Sequence, residues 1–252
     1  MIASNSQSDP LPPMGFIAVE CHFVRPAGDG WNERTWPFPL IREEAPGSLV
    51  PNLITNDTYD SEFLDRFVRT GQKLIDRGAV GIMTSCGFLA MAQPELAKRL
   101  SVPVASSSLC QIPSLFSIMP PTSHVGIITF DGSKLGRTHL TQLGITQVER
   151  VHIVGVPKDG HLQRLVRDDG PYSHEAIEKE LTDAATAMTR EHPEITTIVL
   201  ECVQMAPFAV AVEKTVNMAV YDIYTLGCWF YSGLVRRRPE AWGPIGSDTT
   251  RG

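Results

Sequence analysis

Short apolar runs rich in β-branched residues alternate along this chain with longer stretches whose apolar positions recur every three or four residues. That alternation predicts strands joined by helices, the pattern of a parallel α/β sheet. Strands are predicted at 16–20, 80–85, 103–106, 125–130, 152–156, 197–201 and 220–224. Between them, helical spacing predicts a helix at 60–77, with Phe63, Phe67, Leu74 and Ile75 on one face and Gly78 suited to the cap. The same spacing predicts helices at 88–100, 132–143, 174–191 and 207–218. The aromatic, Pro-rich segment holding Trp31, Trp36 and Phe38 reads as an ordered surface loop, with a mobile flap as the alternative.

The pattern repeats. With Cys86 laid on Cys202, IMTSCGFLAMAQPELAK falls on IVLECVQMAPFAVAVEK: apolar strand on apolar strand, a cysteine ending each, and Lys98 matching Lys214. Gly15-Phe16-Ile17 and Gly126-Ile127-Ile128 open the two corresponding stretches. Two related α/β halves follow. We read a flexible tail over 1–13, a first domain of 14–119 plus 217–252, and a second of 120–216, with the crossing near Pro120-Pro121 and a return near 217.

A chain of 252 residues, 42% hydrophobic and 20% charged, can bury a substantial core. Its net charge of -6 gives the wrong field for nucleic acid or an anionic membrane as the main partner. Arg236 to Arg238 form the one basic cluster and read as a solvated tail. No apolar run is long enough for a membrane span, and the first residues lack a signal-peptide pattern, so a cytoplasmic location is expected. Five cysteines (Cys21, Cys86, Cys110, Cys202 and Cys228) at wide spacings, with no C-x-x-C, fit reduced thiols better than disulfides or structural zinc. The seven histidines show no local ligand spacing, so no metal site is expected. Phosphate-loop, dinucleotide and serine-elbow motifs are missing as well.

Cys86 and Cys202 each stand where a predicted strand gives way to a helix, the edge at which open α/β sheets bind ligands. The helix N-terminus is expected to lower the thiol pKa there, and Gly87 to permit a tight turn. Either cysteine alone reads more simply as a small buried hydrophobe; the paired placement in two halves argues for chemistry.

Thr84-Ser85-Cys86-Gly87 resembles the T-N-C-G segment of the aspartate/glutamate/hydantoin racemase superfamily, with Ser85 in place of asparagine. Leu200-Glu201-Cys202 resembles its second cysteine segment, and Val125-Gly126-Ile127-Ile128-Thr129 the strand that opens its second half. Val102-Pro103-Val104 and Ser106-Ser107-Ser108 resemble the stretch after the first catalytic helix. The resemblance implies two Rossmann-like or flavodoxin-like halves, each a mostly parallel sheet flanked by helices, with the site in the cleft between them. It implies a racemase or epimerase of a small amino acid, hydantoin or related carboxylate. No cofactor is needed: one of Cys86 and Cys202 removes a proton and the other returns one to the opposite face. It further implies substrate contacts from Thr84, Ser85, Gly87, Ser106, Ser107, Thr129, Val203 and Gln204, and a homodimer as the default assembly.

Two departures weigh on the substrate. Cys202 is followed by Val203-Gln204, where glutamate and aspartate racemases carry Thr-His or Thr-Glu. The first strand ends Glu20-Cys21-His22, so Glu20 or His22 is a candidate for tuning one thiol; a solvent-facing position is the plain alternative. Cys21, Cys110 and Cys228 read as packing residues. Diacid cis–trans isomerases of the same fold keep both cysteines, malonate decarboxylases typically the second alone, and a non-catalytic binding protein is the remaining alternative.

Overall fold

The computed structural model describes residues 10–237 and Pro239. Most of the expected tail, Arg238 and the end of the chain lie outside the described residues. Two four-stranded sheets form the frame. β1 (Met14–Ala18), β2 (Leu40–Glu44), β3 (Ile82–Thr84) and β4 (Val104–Ala105) are ordered β2-β1-β3-β4. β5 (His124–Thr129), β6 (Val151–Gly155), β7 (Ile195–Leu200) and β8 (Ala219–Tyr221) are ordered β6-β5-β7-β8. Every pairing is parallel, and the two orders are the same permutation. The repeat seen in the sequence is therefore a repeat of topology.

Parallel neighbours need crossovers, and helices supply them. The first half carries α1 (Val50–Leu53), α2 (Ser61–Asp76), α3 (Gln93–Arg99) and α4 (Ile112–Ile118). The second carries α5 (Arg137–Gln142), α6 (His161–Asp168), α7 (His174–Glu191) and α8 (Ala209–Val216), and α9 (Ile223–Leu234) follows β8. α2 starts where Asp60 accepts from the Phe63 N–H at 2.7 Å, and ends at Gly78, whose φ of 91° is the left-handed form glycine tolerates. Its face of Phe63, Phe67 and Leu74 is buried beside Ile17 and Ile82. Gly15 and Gly126, matched in the repeat, do matching work. A Cβ on Gly15 would crowd Leu74 of α2, and one on Gly126 would crowd Met188 of α7. Each lets a long helix lie close on its sheet.

Two expectations shift. β8 pairs with β7 in the second sheet, so the chain returns to the first half after Tyr221 and not near residue 217. The predicted strand at 220–224 is cut short because Asp222 accepts from the Thr225 N–H and starts α9. α9 then lays Ile223, Leu226 and Tyr231 on Met14, Phe16, Trp36 and Phe38. The aromatic segment is thus core and not surface cover: the Phe38 and Tyr231 rings stack at 4.1 Å, and Trp36 donates from Nε1 to the Gly30 carbonyl at 2.8 Å. Among the described residues no helix is long and apolar enough to cross a membrane.

Candidate active site

β3 and β7 occupy equivalent places in their sheets, and each runs into a cysteine that begins a 3-10 turn. Cys86 precedes Gly87–Ala92 and Cys202 precedes Val203–Phe208. Both line one cavity between the halves. Val19, Cys21, Phe23, Arg25, Leu53 and Ile54 close it from the first half, and Phe130, Val166, Glu201 and Gln204 from the second. Its volume is about 30 Å³.

Glu201 is the charged centre of the site. It is 1% exposed, and its Oε2 accepts from Thr129 Oγ1 at 2.8 Å and from the Phe130 N–H at 3.2 Å. Those donors favour the anion, but burial outweighs them and lifts its pKa to about 7. The first half holds a neutral counterpart. Ser85, matched to Glu201 in the repeat, accepts from the Val19 N–H at 2.8 Å, and Val19 is matched to Phe130. One hydrogen bond is thus made twice, once to a hydroxyl and once to a carboxylate.

The thiols do not behave as a helix N-terminus alone would dictate. Burial pushes the Cys86 thiol well up, and the nearby Glu201 carboxylate pushes it further. The N–H groups of Phe88 and Leu89 pull the other way and do not prevail. Cys202 is raised likewise, by burial and then Glu201, against the single Gln204 N–H. Its Sγ donates to Gln204 Oε1 at 2.6 Å. The expected lowering of both thiol pKa values is therefore corrected: in the free protein both stand as neutral thiols.

The expected contact residues divide. Ser85, Gly87 and Gln204 line the cavity with the two cysteines. Thr84 does not: its hydroxyl donates to the carbonyls of Ser106, at 2.5 Å, and Cys86, at 3.2 Å, tying β3 to β4. Thr129 acts through Glu201. Ser107 accepts from the Leu109 N–H at 3.2 Å, a turn-starting role, and Val203 is core. Ser106 faces Cys110, away from the cavity lining. Gly87 has no left-handed φ, so turn geometry is not its reason. A Cβ there would collide with the Glu201 side chain and carbonyl.

Glu20 and His22 are not in the cavity lining: the Glu20 N–H donates to Ser48 Oγ and His22 is exposed. The acid beside the thiols is Glu201, whose one sequence signal was a charge ending the apolar run Ile198-Val199-Leu200. Cys21 is also a site residue and not mere packing. It contacts Arg25, whose guanidinium pairs with buried Asp29 at 3.3 Å and stacks on Phe23 at 4.5 Å. Nothing local in the sequence foretells that grouping, because the loop after β1 folds back to make it.

No family model matches the chain. Among curated proteins it is similar to a dimethylsulfoniopropionate lyase from Durusdinium sp. clade D, 25% identical over 234 residues that cover 88% of this chain and 75% of that protein. It is also similar to dimethylsulfoniopropionate lyase 6 of Emiliania huxleyi (strain CCMP1516), 24% identical over 233 residues that cover 85% of this chain. The chain spans 57% of the length of that second relative. Among solved structures it is similar to an allantoin racemase from Klebsiella pneumoniae, with a TM-score of 0.56 and 16% identity over 88% of this chain and 87% of that one. An unliganded arylmalonate decarboxylase gives 0.55 and 16% over 90% and 96%. A glutamate racemase from Bacillus anthracis gives 0.54 and 13% over 87% and 81%. The chain has the fold of the aspartate/glutamate/hydantoin racemase superfamily, as its cysteine segments imply. Its relatives by sequence carry the name of a lyase.

Proposed function

We propose that the chain is a cofactor-independent enzyme that takes the α-proton of a small carboxylate and expels a leaving group from the next carbon, with dimethylsulfoniopropionate or a close sulfonium analogue as substrate. The observation that carries this reading is that the Glu201 carboxylate and the Arg25 guanidinium, which is itself paired with Asp29, both line one cavity whose other walls are largely apolar. A dimethylsulfonium group is a cation with no N–H or O–H to donate. It suits a carboxylate set among apolar and aromatic side chains, where an ammonium would want more acceptors. The substrate carboxylate suits Arg25.

The reaction needs one base. Cys86, ionised by passing its proton to Glu201, takes hydrogen from the carbon beside the carboxylate. The C–H pair becomes the new double bond, and the bond to sulfur breaks with its pair leaving on dimethyl sulfide. Acrylate remains; Cys86 keeps the proton it took, and Glu201 gives the one it held to water, which restores the free site. The bound sulfonium charge supplies what the free site lacks: a unit charge at 4 Å is worth about 4 kcal/mol at an effective dielectric near 20. The unequal thiols favour this reading. Cys86 faces two N–H donors, whereas Cys202 faces one and gives its own proton to Gln204.

Racemisation of an amino acid or hydantoin is the second reading, favoured by the equivalent positions of Cys86 and Cys202 at the ends of β3 and β7. One experiment separates them. The protein is incubated in deuterium oxide with dimethylsulfoniopropionate, chiral amino acids or monosubstituted hydantoins. Headspace sulfide, acrylate, optical rotation and deuterium content are then followed. We expect equal amounts of dimethyl sulfide and acrylate, abolished in Cys86→Ala. Deuterium in a stereocentre with loss of rotation, and no sulfide, would establish the racemase instead.

A further inference from the structure

At the far end of the second sheet from the cysteines, four side chains converge. His124 opens β5, His152 lies on β6, and His192 and Glu194 lead into β7. Parallel register is what assembles them. Gly126 pairs with His152, so His152 and His124 share a face of the sheet, and the His124 N–H donates to the Glu194 carbonyl at the head of β7. Sequence spacing could not show this, because the residues lie on three separate segments.

We propose that His124, His152 and Glu194 form a binding site for a divalent transition-metal ion of the zinc type. The argument is geometric. Two ligand atoms each about 2.0–2.1 Å from one ion at the tetrahedral angle stand roughly 3.3 Å apart. Here His124 Nδ1 and His152 Nε2 are 2.8 Å apart, His152 Nε2 and Glu194 Oε1 3.2 Å, and His124 Nδ1 and Glu194 Oε1 3.7 Å. These are the three edges of one face of such a tetrahedron, within the adjustment that side-chain rotation allows. Imidazole nitrogens with one carboxylate oxygen select zinc, copper, nickel or cobalt over magnesium and calcium. The fourth position falls to water; His192 flanks the site, its Nδ1 3.4 Å from the same Glu194 oxygen and its ring stacked on His152 at 3.8 Å.

Lying at the N-terminal ends of the strands, the site is a clip across β6, β5 and β7 and takes no part in proton abstraction at the opposite edge.

The test uses tag-free protein, titrated with zinc by calorimetry and with cobalt by visible spectroscopy. A Cys86→Ser, Cys202→Ser double variant removes the competing thiols of the cavity. We expect one equivalent bound at micromolar metal in the wild type and the double variant, with cobalt d–d bands and no sulfur charge-transfer band. Binding should vanish in His152→Gln, and zinc should raise the wild-type Tm reversibly to chelator but leave Glu194→Gln unmoved. Circular dichroism identifies any variant that fails to fold, and Glu194→Gln then decides. Absence of binding at these concentrations, binding that survives His152→Gln or Glu194→Gln, or binding that disappears with the two cysteines would each overturn the site.

Discussion

The Glu201 carboxylate occupies the space that a Cβ on Gly87 would need, so the residue after one cysteine is shaped by the residue before the other. The contact joins the two halves across the cavity. Gly87→Ala must push Glu201 or its backbone aside. We expect a loss of about 1–3 kcal/mol of stability in denaturant unfolding, as for overpacked cores, with at least tenfold lower turnover. An unchanged activity with unchanged stability would show that the halves do not meet so tightly.

Glu201 and His139 should set opposing trends of stability with pH. Glu201 has its folded pKa raised from 4.5 to about 7, so the folded state holds the extra proton and stability falls as pH rises through that window. His139, fully buried against Phe88, has its pKa lowered from 6.5 to about 4, so stability rises with pH through that window. Each contributes on the order of 3 kcal/mol, and between pH 4.5 and 6.5 they cancel. Glu201→Gln should unmask the histidine: stability then climbs from pH 4 to 6.5, and above pH 7 the variant exceeds wild type. Urea midpoints across that range check it.

Much of this arrangement was legible from the chain. The repeat around Cys86 and Cys202, the helix at 60–77 with Gly78, and the helix at 174–191 all follow from periodicity and caps, which are local. What the spacing does not show has both local and non-local causes. β2 escapes the pattern because Leu40–Glu44 is half-exposed and charged and follows Pro37 and Pro39. The helix expected from residue 132 begins at Arg137, since Asp131 takes the Ser133 N–H and hydroxyl into a turn first. Glu20 and His22 stand out in the sequence because the first strand ends Glu20-Cys21-His22, a departure from the family pattern. Which acid turns inward is decided by the N–H of Phe130 and the hydroxyl of Thr129, on a strand about seventy residues away.

Alkylation should report the neutral thiols. With Cys86 and Cys202 raised by burial and Glu201, their rates with iodoacetamide should be slow at pH 7 and still rising above pH 9. A plateau near pH 7, read by mass spectrometry of the labelled peptides, would mean that thiolate is present in the free enzyme.

Arg25 should separate binding from chemistry. Arg25→Ala removes the proposed carboxylate anchor while leaving Cys86 and Glu201 in place. We expect KM to rise about tenfold to a hundredfold with a smaller fall in kcat, because the anchor holds substrate and transition state alike. Arg25→Lys keeps the charge but not the paired N–H groups, and should fall between the two.

The matched hydrogen bonds of Ser85 and Glu201 have a last consequence. The frame is nearly two-fold symmetric, but its electric field is not: the negative end of the cavity lies on the second half alone. A zwitterion can therefore lie in only one direction, presenting a single one of its two α-hydrogens to Cys86. With substrate stereospecifically deuterated at that carbon, one enantiomer should lose its label to solvent and the other carry it intact into the acrylate.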